Sequence, residues 1–410
     1  MNIFAFIKFN SDLIYMRRLI VLFLSISAIY LSACKKEQEC APEDLPAIEA
    51  HSTVIWQKML TQIYYNENNH LDVYGLRDHQ NMTISQDSNI AVFFATYHDG
   101  DPHVFFDFIK LDSEGNELFV KSYSLQSGEY PDKASVINTT DNGFLLFYNY
   151  FSINHTLQNS RMVKTDQDGN TLWEKDFSFW PKATICCIIE KQDGGFLGVV
   201  RDSTRNILFK LTASGDTAET AILPPGINFN SVALQLNGNI ILAGNHLVEG
   251  MHSNGDVMSI DGSANIIWHN VFEGIPGINY LNFFGVTVNA DNSLALVGNY
   301  TQSGLATPFF VKYNSSGEIL SELHLNSNNA CEDIEPAPGS GYFLLSRVYR
   351  QLVKISESGE IEWMQTLVNY PDYFVGLTIK RTGNDYLAFG FFWPPESYYS
   401  HGFLIKFSVY

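Results

Sequence analysis

Basic residues are scarce. Lysine and arginine total 25 against 44 aspartates and glutamates, a formal net charge of −19 over 410 residues. Nucleic acid demands a basic face, so a nucleic-acid partner is excluded; the same balance disfavours close apposition to anionic lipid. Cysteines number five (Cys34, Cys40, Cys186, Cys187 and Cys331), which is no disulfide framework. Past residue 33 no apolar run reaches the roughly 20 residues of a membrane-spanning helix. The sequence has no Gly-x-Ser-x-Gly elbow, no phosphate-binding glycine loop and no pair of histidines four apart. Nucleophile-elbow, nucleotide and zinc-protease chemistry therefore have no support, and no catalytic residue, metal or cofactor is expected. Scattered histidines leave one route open, a site assembled from several parts of the fold.

Apolar character is concentrated at the N-terminus. Arg17-Arg18 precedes the apolar run Leu19 to Leu31, which is too short to span a bilayer comfortably, and Leu31-Ser32-Ala33-Cys34 closes it. Met16 is an alternative start. The basic pair, apolar run and small-small-Cys in this order resemble the lipobox of bacterial lipoproteins. The resemblance implies cleavage before Cys34, lipid on its sulfur and a membrane partner through that lipid. An ordinary cleaved signal with an incidental cysteine is the competing reading. Lys35-Lys36-Glu37-Gln38-Glu39 resembles the short signal that sends lipoproteins of Bacteroidota to the cell surface, and equally suits a solvated tether. The expected organisation is a signal peptide over 1-33, a lipidated tether over 34-53 and one folded domain over 54-410. The tether of about 20 residues reaches on the order of 60 Å when extended.

The folded domain repeats itself. Asp141-Asn142-Gly143-Phe144, Asp193-Gly194-Gly195-Phe196 and Asn237-Gly238-Asn239-Ile240 each open an apolar strand, with weaker copies starting at Asp87, Asp291, Gly339 and Gly383. These seven units recur about every 50 residues. Within each unit a second signature follows, as in Lys110-Leu111-Asp112-Ser113-Glu114-Gly115 or Lys164-Thr165-Asp166-Gln167-Asp168-Gly169. It reads as a strand, a tight turn with glycine at the left-handed position, and a returning strand. The fourth unit departs, with Ser259 for lysine and Ala264 for glycine, so its turn is expected to differ and to use Gly262. Four residues after the glycine comes an aromatic: Phe119, Trp173, Trp268 or Trp363, with Trp56 in the same register after Ser52. Packing between neighbouring units accounts for this better than a functional aromatic array.

Four short strands per unit, and an aromatic content of 14%, describe an all-β protein. The expected fold is a single seven-bladed β-propeller of four-stranded blades, in which the N-terminal strand from Val54 supplies the missing fourth strand of the last blade. The pattern resembles the propeller-repeat lipoproteins of Bacteroidota and, remotely, the quinoprotein (PQQ-like) propellers. Some quinoprotein dehydrogenases hold their cofactor against a disulfide between neighbouring cysteines, which Cys186-Cys187 matches in sequence only. Those enzymes have eight blades, and adjacent strand side chains diverge, so buried thiols are expected here, with Cys331 distant from the pair.

Propeller geometry puts the uniform turns at one end. The longer connections at the other end carry Tyr97, His98, His103, Tyr130, His155, Trp180, His246, His252, Tyr280, Tyr370, Trp393, Tyr399 and His401. Variable aromatic loops on a rigid scaffold suit a glycan or a protein ligand. Asp166-Gln167-Asp168-Gly169-Asn170 opens like a calcium loop but lacks the distal acids, which favours a plain turn. The leading expectation is a non-enzymatic binding lipoprotein of the outer membrane, surface-exposed. Alternatives are a periplasmic scaffold, resembling the propeller lipoprotein of the outer-membrane insertion machinery, and a polysaccharide-degrading enzyme.

Overall fold

The computed structural model describes residues 51–64, 80–97, 103–152, 158–177, 184–202, 205–248, 252–272, 280–302, 305–325, 330–346, 351–367, 374–392 and 399–410. Cys34, Cys40, the tether to residue 50, and His98, His155, Trp180, Tyr370 and Trp393 lie outside these residues. All 28 elements among the described residues are β-strands. They form five four-stranded sheets and one eight-stranded sheet, the latter being two groups of four joined by the single parallel pair Ser253 and Tyr280.

Every group is an antiparallel meander. The second unit is representative: Tyr130–Asn138, Phe144–Phe151, Gln158–Thr165 and Thr171–Asp176, each paired with the next. Its burial follows its sequence. In the second strand Phe144 to Tyr150 are all buried, because a mid-sheet strand with sheets against both faces keeps no solvent side. Fully burying each phenylalanine or leucine of such a run stabilises the fold by about 1.5–3 kcal/mol. In the fourth strand exposed and half-buried residues alternate from Leu172 to Asp176, as a rim strand should. The apolar clusters bridge consecutive units, Phe108 of the first meeting Phe144 of the second at 5.2 Å. This fold is a β-propeller.

The last unit is completed from the other end of the chain. Ser52–Tyr64 pairs antiparallel with Tyr399–Val409, from Ser52 opposite Val409 to Tyr64 opposite Tyr399. The strand opens two residues before Val54 because Tyr399–Val409 extends far enough to pair Ser52 and Thr53. Phe94 of the first unit packs against Phe389 and Phe391 of the last, at 5.5 and 6.1 Å.

Two details refine the repeat. First, the fourth unit does not use Gly262 as expected. Its turn keeps the common geometry, and Ala264 itself takes the left-handed conformation at φ 65° while its N–H donates to Asp261. In the other turns an aromatic of the preceding unit covers the glycine. Rings lie against Gly115 (Trp56), Gly169 (Phe119), Gly215 (Trp173) and Gly317 (Trp268), and a Cβ there would come within 2.7 to 3.1 Å of them. The third unit offers Glu219 in the aromatic's register, exposed and paired with Lys210, so a methyl is tolerated at Ala264. Second, the first strand of six units carries a register shift at one matching place, leaving Asp132, Cys186, Asn230, Phe284, Glu332 and Leu377 as extra residues. Simple alternation therefore does not hold at Cys186-Cys187; both thiols are nonetheless buried, as is that of Cys331.

Candidate functional site

The two ends of the sheets differ in chemistry. At one end the turns satisfy themselves. Asp166 accepts bonds from the backbone N–H of Asp168 and Asn170 and from the Asn170 amide, at 2.7 to 2.9 Å. Desolvation pushes its carboxyl up, and these bonds together outweigh it and hold the group below the usual carboxylate range. Asp112 and Asp261 cap their turns in the same way. The calcium-like run is thus an Asx-capped turn whose carboxylate is engaged by its own backbone.

The other end gathers the residues expected to bind. Tyr130 opens its strand opposite Phe151, Tyr280 opposite Thr301, and His246 faces Ile227, each where a first strand meets the finish of a second. His103 precedes the strand Val104–Leu111. Tyr97, His252, Tyr399 and His401 occupy strand positions at the same end by register, paired with Val104, Val248, Tyr64 and Gln62. Of the side chains described, Tyr280 is the most open at 42% exposure, while Tyr130, His103 and His246 are half-buried.

A few residues below this end the fourth unit assembles a group that the sequence reading saw only in part. Asp256, fully buried, lies between two imidazoles from the strands on either side. His269 Nε2 is 2.5 Å from its Oδ1, and His246 Nδ1 is 3.8 Å from its Oδ2. The hydrogen bond to Asp256 raises the His269 pKa above its ordinary value, outweighing the opposing effect of burial. Oδ2 of Asp256 and Nδ1 of His246 are both buried with no hydrogen-bond partner among the described residues. The arrangement is a carboxylate hydrogen-bonded to one imidazole and within reach of a second ring. His246 was singled out in the sequence; Asp256 and His269 were not. The matching third-strand positions elsewhere are Asp107, Arg161, Ile207, Phe309, Gln351 and Phe403, so a charge at this position did not by itself single out the fourth unit.

The second unit carries a different polar group at this level. Arg161 holds Asp176 through Nε at 2.6 Å and a second nitrogen at 3.3 Å, reaches Glu174 at 3.1 Å, and donates to the Tyr148 hydroxyl at 3.4 Å. This forked pairing fixes the third strand to the rim strand and consumes the guanidinium.

Neither a protein-family model nor a curated protein matches the chain. Solved structures do. Virginiamycin B lyase from Staphylococcus aureus aligns over 87% of this chain and 100% of its own, at 15% identity and a TM-score of 0.53. Polysaccharide lyase Uly1 aligns over 87% and 99%, at 8% identity and 0.56. YCF48, solved bound to a D1 peptide, aligns over 90% and 100%, at 11% identity and 0.50. At these identities the likeness is one of fold, and it places the chain among the β-propellers.

Proposed function

We propose that this chain is an exported, lipid-anchored protein of the outer membrane that binds a glycan or an envelope or extracellular protein through the loop end of a closed, seven-bladed propeller. Closure is supported by the pairing of Ser52–Tyr64 with Tyr399–Val409 and by Phe94 against Phe389. Anchoring is supported by Arg17-Arg18, the run Leu19 to Leu31 and Leu31-Ser32-Ala33-Cys34 in that order. Lys35 to Glu39 supports display at the surface.

The observation that carries the binding reading is the contrast between ends. Turns at one end spend their polar groups on themselves, whereas at the other end first strands meet second strands at an exposed Tyr280 and at half-buried Tyr130 and His246. Surface display is tested by protease shaving of intact cells: degradation of the domain is expected, and protection sinks that part. Replacing Cys34 with Ala is expected to release the protein from the membrane fraction; unchanged membrane retention sinks the anchor.

A second reading is degradation of a polysaccharide. It is favoured by Asp256 with His246 and His269, a group able to hold and pass a proton near the loop end. Polysaccharide lyase Uly1 has the same fold. New chain ends released from a polysaccharide panel support this reading, and binding without release rejects it.

A further inference from the structure

The seams between units share one hydrogen bond. In four of the turns between third and fourth strands, the carbonyl of the second residue accepts from the unit before. Lys406 Nζ reaches Ser113 at 3.2 Å, Lys110 Nζ reaches Gln167 at 3.0 Å, Trp173 Nε1 reaches Ala213 at 3.0 Å and Trp268 Nε1 reaches Ser315 at 3.1 Å. In the sixth unit the second residue is Glu357, and Lys312 binds its carboxylate instead. The fourth unit breaks the series. Its second residue is Gly262, and the third unit presents Glu219 where tryptophan stands elsewhere. Lys210, the remaining donor, pairs with Glu219. Among the described residues no donor from the third unit reaches the Gly262 carbonyl.

A cavity of about 320 Å³ opens at this seam, within the range of small-molecule sites. Its walls include Ile189, Leu234, Ile240 and Gly262, and the Lys191–Asp193 ion pair, 2.7 Å apart, also lines it. Two of these positions matter most. Gly262 corresponds to Ala213, which accepts the Trp173 N–H, and Ile240 corresponds to Phe196, which meets the Trp173 ring at 6.0 Å. The cavity is therefore lined by the two positions that, one seam earlier, supply the acceptor and the apolar wall for an indole.

We propose that this cavity binds a small aromatic ligand of the indole class, a flat fused ring with one ring N–H. The ring lies against Ile240 and Leu234, the N–H donates to the Gly262 carbonyl, and a charged substituent is met by Lys191 or Asp193. The site is separate from the loop end and owes nothing to the binding role proposed there.

The test uses the full chain and 5-fluoroindole as probe, followed by fluorine NMR. Binding tighter than about 1 mM is expected, with competition by indole. Indene, the same ring without N–H, is expected to compete at least about fivefold more weakly, the loss of one hydrogen bond. Glu219→Trp, which supplies the chain's own indole, is expected to weaken probe binding at least tenfold. Independently of any variant, methyl resonances of Ile189, Leu234 and Ile240 are expected to shift on adding indole. Equal binding of indene and indole, undiminished binding to a cooperatively folded Glu219→Trp, or methyl shifts confined to other seams each overturns the proposal.

Discussion

The indole of Trp173 lies so close over Gly215 that a Cβ at that glycine would sit 3.0 Å from three of its ring atoms. Gly215 belongs to the third unit and Trp173 to the second, so a turn and its neighbour's rim strand are fitted to each other. Gly215 also has φ 80°, which alone favours glycine. Gly215→Ala is expected to cost about 2–4 kcal/mol: about 1–2 from the left-handed backbone and the rest from displacing the ring. In a Trp173→Ala background the same change should cost only the backbone part. Denaturant unfolding of the four proteins measures this, and equal costs in both backgrounds would show that the ring plays no part.

Ala264 is the natural converse. It holds φ 65° where the third unit offers Glu219 in the aromatic's register, and its half-buried methyl packs against the apolar cluster between the two units. Ala264→Gly is expected to raise stability by up to about 1 kcal/mol, the relief of left-handed strain less the lost methyl packing and the added freedom of the unfolded chain. A higher denaturant midpoint at unchanged slope checks it.

Asp333 is buried in the first strand of the sixth unit. It accepts from the backbone N–H of Ile334 at 2.9 Å and of Ile379 at 3.0 Å, and Lys380 of the last unit approaches it at 3.3 Å. Removing Lys380 leaves the Asp333 charge buried, whereas Lys380 is partly exposed and also faces Glu335 at 3.8 Å. Lys380→Met is expected to cost about 3–5 kcal/mol, and Asp333→Asn with Lys380→Met together less than the lysine change alone. Unfolding midpoints of the single and double variants decide it; a double variant as unstable as the sum of the singles contradicts it.

His269 gives the fold a pH dependence of known sign. Its pKa is raised above 6.5 in the folded protein by Asp256. The folded state therefore binds the proton more tightly than the unfolded chain. That contribution is fully present below about pH 6.5 and is lost as pH rises through the folded value. Stability measured from pH 5.5 to 8.5 should fall with rising pH more steeply in the native protein than in His269→Gln. An identical slope in both would place the proton elsewhere.

The repeat was legible because its turns impose local chemistry. Asp141-Asn142-Gly143 and Asp166 to Gly169 declare a capped turn wherever they occur. Apolar runs such as Phe144 to Tyr150 then declare a strand buried on both faces. The error at Gly262 came from treating glycine as the only residue fit for φ > 0, when what excludes a methyl elsewhere is also the ring from the preceding unit. Asp256 with His246 and His269 was not legible for a different reason. The three stand on separate strands and meet only through sheet register, which no local pattern encodes. The first-strand bulges were hidden likewise, since each adds one residue without a signature of its own.

The central claim is that the loop end binds a ligand. It is tested most directly by retaining envelope and extracellular material on the immobilised full chain, comparing the native protein with Tyr130→Ala/Tyr280→Ala. A specific glycan or protein retained by the native chain and lost at least tenfold by the cooperatively folded double variant is the predicted result. Retention undiminished by the two substitutions would contradict it.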